Sequence, residues 1–268
     1  MTDQSFSPKE IDTSRAHPAR MYDYFLGGRD NYEVDREAAE LVIGELPDIR
    51  VTARENRAFL ARSVRHVVRN GVRQIVDIGT GIPTSPNTHE VAHAEDPRVR
   101  VAYVDNDPIV ATHAGARLTS APNTSFALGD VRDPEKILHS PAIAEFIDFD
   151  QPVAVLLVAV LHFVSEEEDP RAIVATLREA MPSGSFLVLS HATSDFHPGD
   201  HDDTFRAYRG STAPLTVRSH RGVERLFDGF ELLDPGVVQL PAWRPDGTPP
   251  TPEELRRIGF YAGVGRKS

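Results

Sequence analysis

The sequence predicts a doubly wound α/β protein: a mainly parallel sheet of seven strands with helices on both faces, preceded by a helical extension. Three observations predict it. From Gln74 onward, short β-branched runs alternate with helical segments, the signature of βαβ units. Those runs are dominated by apolar residues, as strands covered on both faces must be. A glycine turn, Gly79-Thr80-Gly81, stands where the first strand would pass into a helix.

Up to about Asn70 the pattern is helical. Arg20 to Leu26 runs into a Gly27-Gly28 stop, and Asp35 to Leu46 ends before Pro47. Thr52 with Glu55 forms a capping-box pattern, after which Phe59, Leu60, Val64, Val67 and Val68 recur at helical spacing until Asn70-Gly71. Residues 1–70 therefore read as an N-terminal extension and 71–268 as the main domain. Strands are predicted at 74–78, 99–104, 125–128, 153–160 and 186–190, with helices near 108–118 and 170–181. A helix near 218–227 and strands near 230–239 and 260–264 complete the chain, while 241–252, rich in Pro and polar residues, reads as an exposed loop.

A chain of 268 residues suits one large domain plus an extension. Its net charge of −11 argues against a protein whose main task is to hold a nucleic-acid backbone, which needs clustered Lys and Arg. The absence of Cys excludes disulfides, thiolate zinc sites and cysteine nucleophiles. Met1 to Ser14 lacks the basic start and apolar stretch of a secretory signal, so a cytoplasmic protein is expected. The longest apolar run, 153–164, is interrupted by His162 and falls short of the roughly 20 residues of a membrane helix.

The residues that bear chemistry sit where strands end. Asp77, two residues before Gly79, puts a carboxylate where a phosphate-bearing cofactor would be repelled and a cationic ligand welcomed. A dinucleotide fingerprint would carry a third Gly where Thr84 stands, which disfavours a nicotinamide cofactor. S-adenosylmethionine, a phosphate-free sulfonium, meets the requirement, and the Asp-x-Gly-x-Gly arrangement resembles the first motif of class I methyltransferases. Asp105 in Tyr103-Val104-Asp105-Asn106-Asp107-Pro108 is placed to accept from ribose hydroxyls, with Asn106 beside it, while Asp107 caps the helix that Pro108 opens. Asp130 and Val131, after the third strand, resemble the methyltransferase site for adenine. Three acids thus lie on one edge of a parallel sheet, where such folds bind ligands.

His162, after the fourth strand, is a candidate general base facing the acceptor, with packing in the core as its ordinary alternative. The stretch from His191 to His201, including His197, reads as an acceptor-side loop in preference to a metal site.

The whole chain resembles a family of actinobacterial S-adenosyl methyltransferases long catalogued as a domain of unknown function. The resemblance is carried by residues 12–32, from Asp12-Thr13-Ser14 to Arg29-Asp30-Asn31-Tyr32, by Arg54-Glu55-Asn56-Arg57 and by 74–84. It implies a Rossmann-like class I methyltransferase fold whose last strand is antiparallel, with N-terminal helices over the cofactor site. It also implies Tyr22, Gly27, Gly28 and Arg57 as residues closing that site. From the residues alone, Gly27-Gly28 is a helix stop, Tyr22 a core aromatic and Arg57 a solvated helix residue. The expected function is methyl transfer from S-adenosylmethionine to an oxygen or nitrogen of a small molecule. The rival from another class is a non-catalytic sensor of the cofactor or of S-adenosylhomocysteine.

Overall fold

The computed structural model describes residues 12–197, 199 and 201–268, so Met1 to Ile11 and two positions of the 197–201 loop, Pro198 and Asp200, lie outside the described residues. In chain order the elements are α1 (Pro18–Phe25), α2 (Glu33–Glu45), α3 (Ile49–Arg69), β1 (Gln74–Ile78), α4 (Thr88–Glu95), β2 (Arg100–Asp105), α5 (Pro108–Arg117), β3 (Thr124–Leu128), α6 (Pro134–Leu138), α7 (Pro141–Ala144) and β4 (Ala154–Val158). There follow α8 (Pro170–Ala180), β5 (Phe186–Ala192), α9 (Asp202–Gly210), α10 (His220–Glu224), β6 (Glu231–Leu232), β7 (Val238–Gln239), α11 (Pro252–Arg256) and β8 (Phe260–Arg266).

The sheet order is β3-β2-β1-β4-β5-β8-β6, with β7 also paired to β8. Strands β1 to β5 are parallel, and β8 runs antiparallel to β5. The expected fold class holds, with one change: eight strands stand in place of seven. The predicted strand at 230–239 is two short strands divided by a turn in which the Gly236 N–H donates to the Leu233 carbonyl at 2.7 Å. Pro235 within that run has no N–H to give to a ladder, so the run breaks there.

Side chains alternate across the sheet. Ile75, Tyr103 and Leu156 pack with α3 and α4 on one face, while Val76, Val104 and Leu157 pack with α6 to α8 on the other. A third cluster joins α1, α2 and α9 through Met21, Phe25, Val42 and Tyr208. No helix among the described residues is long and apolar enough to cross a membrane.

Two local readings are corrected. Helix α3 begins at Ile49 with Asp48 as its cap, so Thr52 is not the cap; it is buried, and its hydroxyl donates to the Arg257 carbonyl at 3.3 Å. The 241–252 stretch is not wholly an exposed loop, because Trp243 is completely buried. Its ring meets Phe59 edge-on at 5.4 Å, and Arg62 of α3 donates to the carbonyls of Trp243 and Leu240 at 3.1 and 2.7 Å. The apolar area of one indole outweighs the polar, Pro-rich composition around it. Trp243→Ala should destabilise the protein by about 3–5 kcal/mol, read as a lower urea midpoint with little change in slope.

Candidate functional site

Strand order reverses between β1 and β4, and at their carboxyl ends a crevice opens in the way doubly wound sheets dictate. It holds a cavity of about 350 Å³. Asp77, Gly79, Gly81, Asp105, Asn106, Asp130 and Val131 all line it, as do Tyr22 and Arg57 from the N-terminal helices and His162 from beyond β4.

The glycine turn is fixed by its neighbours. Gly79 has φ +74°, and a Cβ there would stand 2.1 Å from Val160 Cγ2, so only glycine fits both the conformation and the space. Its N–H and that of Thr80 both donate to the Val104 carbonyl, at 2.7 and 3.2 Å. Asp105, at the end of β2, accepts the Gly81 N–H at 2.7 Å and the Asp107 N–H at 2.9 Å. Asp107 Oδ1 in turn accepts the Ile109 N–H at 2.9 Å, the capping role expected for it.

The charges are unevenly compensated. Asp77 is buried, accepts the Thr88 hydroxyl at 2.6 Å, and is held above the ordinary carboxylate range by that burial. Burial likewise pushes Asp105 up to about 6, against the pull of its backbone hydrogen bonds. The three arginines at the cavity are committed to protein partners. Arg57 donates to the carbonyls of Thr84 and Pro86 at 2.9 and 2.6 Å; Arg132 grips Asp130 through Nε and Nη2 at 2.9 and 2.8 Å; Arg20 faces Asp35 and Asp107 at 3.5 Å. Asn106 adds a donor to Asp130 at 3.0 Å. Burial alone would raise the Asp130 pKa, but the hydrogen bonds from Arg132 and Asn106 overcome it and hold it low. Two buried acids that form no ion pair among the described residues, Arg57 acting on Asp77 only as a minor influence, and a half-buried carboxylate beside an exposed amide suit a ligand that is cationic at one end and rich in donors along its length.

Comparison with known proteins decides what this crevice belongs to. A family model described as S-adenosyl methyltransferase matches residues 4–268. The chain belongs to the S-adenosyl methyltransferase family. The methyltransferase is similar to a DUF574-family protein from Streptomyces avermitilis MA-4680, with 42% identity, TM-score 0.91, and 96% of this chain and 100% of that one covered. It is similar to a protein from Thermobifida fusca YX at 39% identity and TM-score 0.90, covering 98% and 99%. Human N-acetylserotonin methyltransferase shares the fold alone, at 12% identity and TM-score 0.50, with 96% of this chain and 64% of that one covered. No curated protein matches the chain. The cofactor is S-adenosylmethionine, which is the phosphate-free cation that the donor set fits.

In the methyltransferase, some predicted residues lie elsewhere than expected. Gly27 and Gly28 do not line the cavity. Gly27 ends α1 at φ +83°, and a Cβ on Gly28 would meet the Asp23 carboxylate at 2.0 Å, so the helix-stop reading accounts for both. Arg57 is not a solvated helix residue but a tie between α3 and the far end of the glycine turn.

His191 does not face an acceptor. It is completely buried in β5, its Nδ1 donating to the Ala192 carbonyl at 2.8 Å and its Nε2 accepting from Arg218 at 2.7 Å; burial and Arg218 pull it down to about 3, against its backbone hydrogen bonds. His201 Nε2 lies 2.7 Å from the His197 carbonyl, and among the described residues no three His, Cys, Asp or Glu side chains are grouped to hold a metal. His162 Nδ1 accepts the Ala192 N–H at 3.3 Å, which leaves the proton on Nε2. Its pKa is held well below the ordinary value by burial and by His191 and Arg218. The imidazole therefore offers a neutral N–H donor where a free base was expected.

Sequence reasoning missed Asn56 and Arg218. Asn56 donates to the Tyr22 hydroxyl at 2.9 Å and accepts from Ser190 at 2.6 Å, joining α3, α1 and β5. Its signal was present in the Arg54-Glu55-Asn56-Arg57 stretch. Arg218, read as the start of a helix, instead bonds the carbonyls of Leu161 and Val164, both at 2.8 Å, and so holds the turn that carries His162.

Asp105 has a folded pKa above its unfolded value of about 3.9, so between the two the native state keeps a proton that the unfolded chain has released. The stability this confers is complete below about pH 4 and is lost as pH rises through about 6, by up to about 3 kcal/mol. Urea unfolding across that window should show wild type losing stability relative to Asp105→Asn by that order as pH rises.

Proposed function

We propose that the methyltransferase transfers a methyl group to an oxygen or nitrogen of a small molecule, with the cofactor lying along the carboxyl ends of β1, β2 and β3. The supporting observation is that one cavity is lined together by Asp77, Asp105, Asn106, Asp130 and Val131. In this reading Asp77 and the turn from Gly79 to Gly81, whose own N–H groups are taken by Val104 and Asp105, lie around the methionine part. Asp105 and Asn106 take the ribose hydroxyls, and Asp130 with the Val131 N–H takes adenine. The described part of the N-terminal extension, residues 12–70, acts as a lid, with Tyr22 and Arg57 toward the cofactor and Gly27-Gly28 serving as the end of α1.

When bound, S-adenosylmethionine would supply an activated methyl group to the acceptor's lone pair, with the carbon–sulfur pair left on sulfur and the acceptor's proton lost to solvent. The chain's own contribution is placement. Buried carboxylates fix the cofactor, and His162 donates a hydrogen bond from Nε2 toward the acceptor side without taking a proton there. A sensor without turnover has no observation in its favour here.

Isothermal titration with S-adenosylmethionine and S-adenosylhomocysteine, with NAD as control, tests the cofactor contacts. Binding of both adenosyl ligands, at least about 10-fold weaker in Asp105→Ala, is expected, since hydrogen bonds to a charged group contribute roughly 1.5–3 kcal/mol. Equal affinity in wild type and variant would overturn the ribose assignment. Methyl transfer from labelled S-adenosylmethionine to hydroxyl- and amine-bearing small molecules tests the reaction itself.

A further inference from the structure

The residue that follows β4 is strained. Ala159, the first beyond the β4–β5 ladder, has φ +59°, in the left-handed region that residues other than glycine rarely adopt. It lines the cofactor cavity, and so does Val160 beside it. The turn at Ala159 sets Val160 against the glycine turn: a Cβ on Gly79 would stand 2.1 Å from Val160 Cγ2. The ends of β1 and β4, on either side of the crevice, therefore meet through a residue in a costly conformation.

Such a conformation persists where its surroundings over-determine it. Here they do so through one run of hydrogen bonds. The Ala159 N–H donates to the carbonyl and the hydroxyl oxygens of Ser190, at 3.2 and 2.9 Å. The Ser190 hydroxyl gives its own proton to Asn56 Oδ1 at 2.6 Å. Asn56 Nδ2 donates to the Tyr22 hydroxyl at 2.9 Å, and Tyr22 donates to the Ala53 carbonyl at 3.0 Å. A backbone N–H at one end and a backbone carbonyl at the other fix the direction of every bond between them.

The run begins in the core and ends on the lid. Ser190 has no exposed surface and does not line the cavity, so a ligand cannot touch it. Any effect of its removal on binding is transmitted through Ala159 or Asn56.

We propose that Ser190 and Asn56 are positioning residues for methyl transfer. They carry the hold of Tyr22, on the lid helix α1, to Ala159, and keep Val160 against the glycine turn at the spacing that the methionine part of the cofactor requires. This rests on the placement of the methionine part given above, but the hold on Ala159 can be measured without any ligand.

The test is a cycle of four chains: wild type, Ser190→Ala, Ala159→Gly and the two combined. Glycine adopts a positive φ freely and needs no hold, so the loss caused by Ser190→Ala should shrink in the Ala159→Gly background. In urea without ligand, Ser190→Ala should lower the unfolding midpoint of the wild-type chain, and that of Ala159→Gly clearly less. By titration, S-adenosylhomocysteine should bind Ser190→Ala about 5-fold more weakly than wild type, and the combined variant within about 2-fold of Ala159→Gly. Adenosine, which lacks the methionine part, should bind all four chains alike, whereas a general loosening of the fold would weaken both ligands. If Ser190→Ala does not fold, Tyr22→Phe, which keeps the ring and removes the hydroxyl, takes its place in the cycle. The proposal is overturned if the two substitutions add independently in urea, if Ser190→Ala binds S-adenosylhomocysteine as wild type does, or if adenosine is weakened equally. If wild type binds no S-adenosylhomocysteine, the cofactor placement falls and the spacing role with it, while the urea cycle still decides whether Ser190 holds Ala159.

Discussion

The Asp105 carboxylate joins the two loops that follow β1 and β2. One oxygen accepts from Gly81, beyond β1, and the other from Asp107, at the start of α5. Because β1 and β2 lie in register from Gln74↔Arg100 to Ile78↔Val104, the strands bring these loops side by side, and the carboxylate then sets their separation. The Val104 carbonyl, one residue earlier, takes the N–H groups of Gly79 and Thr80 from the same turn. Removing water from this acid is costly, and the two backbone donors offset only part of that cost, which is why its proton is held so firmly. A site built in this way is stiff before any ligand arrives, as preorganised binding requires.

A second set of contacts braces the opposite wall. Arg218 gathers the Leu161 and Val164 carbonyls, His191 and Glu166, so the short turn after β4 cannot drift from β5. Asn56 relays between Tyr22 and Ser190, and the Ser190 hydroxyl accepts the Ala159 N–H at 2.9 Å. Apart from the Glu166 carboxylate, which is exposed, each link is short, at least partly buried and answered at both ends, the condition under which a polar network adds rigidity without leaving a stranded group.

Much of this was legible from the chain alone. The parallel strands announced themselves because most of their residues are apolar, and the acids Asp77, Asp105 and Asp130 because they stand at the ends of three successive strands. What escaped were features set by distant partners. Thr52 looks like a helix cap until Asp48 and Arg257 are seen to meet over it, and His191 looks available until β8 covers its strand and Arg218 reaches its ring. Short helices such as α9 lacked a clear apolar period, since Thr204, Ala207 and Tyr208 are all that it buries. The break between β6 and β7 turned on Pro235 inside a run otherwise suited to a strand.

The lone tryptophan has an optical consequence. Trp243 is sealed between Phe59 and His66 and does not line the cofactor cavity. Its indole N–H meets no acceptor among the described residues, and the ring has no exposed surface. Its emission accordingly reports whether α3 and β8 remain packed. Ligand arriving at the far ends of the strands leaves that signal unquenched, so intrinsic fluorescence in this protein is a gauge of integrity and not of occupancy.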